Sequence, residues 1–137
     1  MIEELNMSAK KAIALCLLIV TCAFSISATK DKKSAKAVER IMKNMKTPAK
    51  ELKKLERAKL YTKSSFASYV ATLTRESKNM LRIKHPDKDF NDISKDLFKE
   101  MTILQKAVKK KDFNAIKKSW NEAKQLCAEC HDIYQDL

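Results

Sequence analysis

The run DFNAIKKSWNEAKQLCAECHDIY, residues 112–134, places Phe113, Ile116, Trp120, Ala123, Cys127, Cys130 and Tyr134 at alternating steps of three and four. A mean step of 3.5 residues keeps one helical face apolar and turns it toward neighbouring helices that run antiparallel to it. Asp112 stands between Lys111 and Phe113, where a short acceptor side chain caps a helix start. The spacing predicts a helix over about Asp112 to Asp136.

Three similar stretches precede it. The segment from about Asp89 to Lys110 carries Phe90, Ile93, Leu97, Met101, Leu104 and Val108 at the same spacing. A second, about Ser64 to Ile83, aligns Phe66, Tyr69, Val70, Leu73, Met80 and Leu81, and ends at His85-Pro86-Asp87, since a residue before Pro avoids the α region. The first, about Ser34 to Leu60, offers Val38, Ile41, Met42, Met45, Leu52 and Leu55, with a kink or short break expected at Pro48 and Thr47-Pro48 restarting the helix. The 137 residues include no Gly and two Pro, which removes Gly-dependent phosphate loops and tight hairpins. Four helices with short links give an all-α, antiparallel up-down-up-down four-helix bundle in one domain.

The N-terminal residues read as an export signal. Lys10 and Lys11 precede an apolar run from Ala12 to Ala23, followed by Ser25, Ser27 and Ala28. This predicts a signal peptide over residues 1–28, cleaved after Ala28, and a bundle over 29–137 in a Gram-negative periplasm. Met7 is an alternative start, and a retained anchor is the alternative to cleavage, although the run is shorter than the ~20 residues of a membrane span. Cleavage removes Cys16 and Cys22 and leaves two cysteines, both within five residues. The formal charge of +12 survives cleavage, which points to an acidic redox partner protein or an anionic membrane surface. Export disfavours nucleic acid. A homodimer is a further expectation.

Those two cysteines form Cys127-Ala128-Glu129-Cys130-His131. Covalent attachment of one haem c needs two thiols to add across two vinyl groups, with an adjacent imidazole reaching the iron, and this spacing meets the need. The motif lies on the apolar face of its helix, so the haem would sit in the bundle core. A zinc site would need about four ligands, and the one other histidine, His85, lies apart. A thioredoxin-like dithiol would need a βαβ setting that is missing.

From Asp112-Phe113 through Ile116-Lys117 and Trp120 to Cys127-Ala128-Glu129-Cys130-His131-Asp132-Ile133-Tyr134, the sequence resembles the class II cytochromes c, the cytochrome c′ type of four-helix bundle. Ile41-Met42-Lys43-Asn44 matches the first helix of that family less specifically. The resemblance implies His131 as the proximal axial ligand and the first helix as the source of the distal residue. Bundle topology would bring Val38, Met42, Met80 and Phe90 to the haem end as well. Met42 matches the family's distal position and lies about 4.5 Å closer to that end than Met45, which with Met80 is a lesser candidate. His85, whose loop lies at the same end, is another, with a solvent-facing loop histidine as its plain reading. A gap-filling role in the core is the plain alternative for each methionine. Trp120, one heptad before Cys127, is expected to pack near the porphyrin. The sequence departs from the family twice: Val38 and Gln135 stand where basic residues are common. Arg40, Arg82 and Lys84 are the remaining candidates to neutralise the haem propionates.

These readings predict a periplasmic electron carrier. If Met42 binds the iron, His/Met ligation raises the reduction potential and keeps the iron low-spin. The alternative is a five-coordinate binder of nitric oxide or carbon monoxide, with Val38, Ile41 and a non-coordinating Met42 as an apolar lid. No enzyme activity is expected, because no distal His or Arg and no carboxylate pair stands out. A haem-free helical interaction domain remains only if the motif is coincidental.

Overall fold

The computed structural model describes residues 32–134, and the expected signal peptide and Gln135 lie outside them. Four helices fill that range: α1 (residues 32–57), α2 (Ser64–Met80), α3 (Lys88–Lys110) and α4 (Phe113–Tyr134). No strand occurs among the described residues. The chain divides between Ala35 and Lys36, and the bundle core belongs to the second unit. α3 packs against both α2 and α4, and the short links make each consecutive pair antiparallel. The result is an all-α four-helix bundle.

Most of the seam read from the sequence is the core, although Leu81 and Phe113, placed on it by spacing, lie at helix ends and are exposed. Leu52, Phe66, Val70, Leu73, Met101, Leu104, Ile116, Trp120 and Ala123 are shut away from solvent in one continuous cluster. The break expected at Pro48 does not occur, since α1 runs through it. Ile41, Met45, Pro48 and Leu52 are all buried and continue the four-three-four spacing, so Pro48 fills a step of the apolar stripe. An interior proline forfeits one backbone hydrogen bond, at a cost of about 3 kcal/mol. Burying its ring offsets part of that cost.

The termini follow side-chain chemistry. Asp112 caps α4 as expected, its carboxylate accepting from the Ala115 N–H at 3.0 Å. Asp87 does the same for α3 through the Asp89 N–H at 2.8 Å, which starts the helix at Lys88. With no glycine available, Lys59 and Lys111 take the left-handed conformation that ends α1 and α3, at φ of 56° and 57°.

One polar group ties the first helix to the last. The Trp120 indole N–H donates to Glu56 at 2.8 Å, and the Lys124 ammonium lies 2.9 Å from the same carboxylate. Removing the acceptor strands a buried indole N–H. Glu56→Ala should therefore lower the unfolding free energy by about 1–3 kcal/mol. Lys124→Ala should lower it by less than about 1 kcal/mol, because the ammonium can return to water. Urea unfolding of both variants checks the difference.

Candidate haem site

α4 presents Cys127 and Cys130 three residues apart, a rise of about 4.5 Å and an angular offset of about 60°, so both lie on one face. Cys130 is buried and Cys127 half-buried, and neither is in a disulfide. Burial pushes the Cys127 thiol above its ordinary range, helped by neighbouring Cys130 and opposed by Lys53 of α1. Burial, with Glu129 adding to it, raises Cys130 likewise. His131 follows on the last turn of α4, exposed to solvent.

The topology brings the α2–α3 link to this end of α4. The Tyr134 hydroxyl donates to the Asp87 carboxylate at 2.7 Å. The Tyr134 ring meets Phe90 edge-on at 5.4 Å, and His85 lies 4.3 Å from Phe90. His85 is half-buried, and its Nδ1 accepts from the Asp87 N–H at 3.2 Å, so it is a structural part of the link. Sequence reading placed Tyr134 on the stripe but missed this cluster, whose members lie 47 residues apart.

The Tyr134–Asp87 pair makes stability depend on pH at both extremes. The hydrogen bond from Tyr134, then that from the Asp89 N–H, hold Asp87 below its ordinary 3.8. Its contribution is present above that value and is lost as pH falls through the depressed one. Partial burial and the Asp87 carboxylate push Tyr134 from 10.0 to about 12. That contribution is full below pH 10 and is lost as pH rises through about 12. Tyr134→Phe should lower Tm between these limits, with the gap from the parent closing at both ends. Thermal melts across the pH range check this.

The candidate distal residues differ in how free they are. Met45 and Met80 are enclosed, at 7% and 2% exposure, whereas Met42 is half-buried and packs on the core with one side open. Val38 and Ile83 lie at the same margin of the core, and Phe90 is buried within it. Between α1 and α2 runs an open groove of about 560 Å³, lined by Arg40, Ile41, Asn44, Glu76, Asn79 and Arg82 among others. Two of the three propionate candidates, Arg40 and Arg82, therefore meet in one groove, and Lys84 does not line it. Trp120 stands seven residues before Cys127, about 10.5 Å along the helix, fixed to Glu56.

The donor set fits haem c: two free thiols on one helical face, an accessible imidazole one position on, and apolar side chains at the same end of the bundle. Among the described residues, no group of three or more His, Cys, Asp and Glu side chains gathers that could hold a metal ion.

Comparison with known families agrees. The family model described as cytochrome C′ matches residues 23–135, most of the chain. The chain belongs to the cytochrome c′ family. Members of the cytochrome c′ family are c-type haem proteins, so this chain is a haem c-binding cytochrome on the family's four-helix bundle. No curated protein and no solved structure gives a significant match. Among the described residues, no helix is long and apolar enough to cross a membrane.

Proposed function

We propose that the protein is an exported monohaem cytochrome that carries electrons, with His131 and Met42 as the two axial ligands. When bound, haem supplies an iron that accepts and releases one electron. Cys127 and Cys130 would hold it by thioether bonds, and His131 would offer its imidazole nitrogen to the iron from the α4 side. Val38, Ile83 and Phe90 would supply apolar surface that excludes water, and Arg40 and Arg82, which line the α1–α2 groove, would pair with the propionates.

The observation that carries the reading is the state of Met42. It is a soft thioether on the first helix that is only half-buried, while the competing methionines are enclosed. No distal imidazole competes with it, since His85 is engaged in the link. A ligand that stays bound in both oxidation states keeps reorganisation small, which suits electron transfer. Both places are then taken, so carbon monoxide added to reduced holoprotein should leave the spectrum unchanged. Ready binding would instead support the five-coordinate reading, with Val38 and Ile41 as the lid.

A further inference from the structure

The charge of +12 is not spread evenly over the bundle. The end opposite the motif is formed by the α1–α2 link and the α3–α4 link. Lys59, Lys63, Lys109, Lys110, Lys111 and Lys117 are all exposed there. The carboxylates at that end are engaged: Asp112 caps α4, and Glu56 is held by Trp120 and Lys124. Among these lysines stands Phe113, 45% exposed at the first turn of α4, with its ring 6.1 Å from that of Tyr61. The motif end also exposes Leu81 and Ile133, but there the basic Arg82, Lys84 and Lys88 are interleaved with Asp87, Asp89 and Asp132.

We propose that the lysine-rich end docks on an anionic phospholipid surface, with Phe113 entering the interfacial layer. Clustered lysines are drawn to anionic headgroups, their flexible stems lying along the surface. An exposed aromatic among them adds apolar burial that electrostatics alone does not supply. At the motif end the basic side chains stand among carboxylates, which weakens their pull on anionic headgroups. A redox protein seated on the basic end fits less well. Phe113 is fourteen residues from Cys127, about 21 Å along α4, so such a partner would be held far from the site. Docked by its basic end, the bundle turns the motif end away from the bilayer toward soluble partners. This proposal stands apart from the ligation of the iron.

Holoprotein is sedimented with vesicles of about one third phosphatidylglycerol in phosphatidylcholine, and with phosphatidylcholine alone. Binding is expected on the anionic vesicles only, weakening steeply as salt rises. Replacing Lys63, Lys109, Lys110 and Lys117 together by Gln should lower partitioning more than about tenfold. Phe113→Ser should lower it severalfold. The matched set Lys36, Lys78, Lys95 and Lys99→Gln should change it by less than about twofold. Equal losses from the two sets would mean that diffuse charge binds, and would overturn the proposal. So would binding to both vesicle types alike, or capture by an acidic protein through the same lysines without vesicle binding.

Discussion

Holoprotein carrying Cys127→Ala and Cys130→Ala together is expected to lose all haem on denaturation, whereas the parent keeps its haem through acid and detergent. The two thiols are the only ones among the described residues, and they share one face of α4. Without them, only coordination by His131 and Met42 would hold the haem, and denaturation disperses both ligands. Each single variant should retain one thioether and remain haem-stained, at lower yield. Haem staining of denaturing gels and intact mass check the series. Haem retention by the double variant would remove the thioether assignment.

Met42→Leu is expected to convert low-spin iron to high-spin and to lower the reduction potential by on the order of a hundred millivolts. The swap conserves volume, so its effect on folding should stay below about 1.5 kcal/mol. Carbon monoxide binding should appear in the reduced variant, because one axial place has become free. Met45→Leu and Met80→Leu provide the contrast. Both side chains are enclosed, so they should alter stability and leave spin state and potential unchanged. Optical spectra with redox titration separate the three variants, and a shift in potential confined to Met45→Leu would move the distal assignment to Met45.

Features of the fold that act locally were legible in the sequence. The four stripes, the Asp112 cap and the Cys127–Cys130 face follow from spacing within single helices. Pro48 was misleading because an isolated helix breaks there, whereas this one has a buried position to fill at that step. The left-handed Lys59 and Lys111 gave no warning, since glycine is the usual marker and the chain has none. Long-range polar pairs were also hidden. Glu56 meets Trp120 from 64 residues away, and Tyr134 meets Asp87 from 47, and nothing in the spacing of either segment records its partner. The concentration of lysines at one end likewise emerges only when two links distant in sequence are brought together. Of the haem site, the motif makes the α4 candidates, Cys127, Cys130 and His131, legible from sequence alone. The distal side depends on how far each methionine is enclosed, which is a property of packing.

The most direct test of His131/Met42 ligation is proton NMR of the reduced holoprotein. A methionine methyl bound to low-spin iron lies over the porphyrin and is shifted far upfield by its ring current. One such methyl resonance is expected, lost in Met42→Leu and kept in Met45→Leu. A reduced protein with no upfield methyl and broad high-spin resonances would contradict it and assign this cytochrome c′ family member to gas binding.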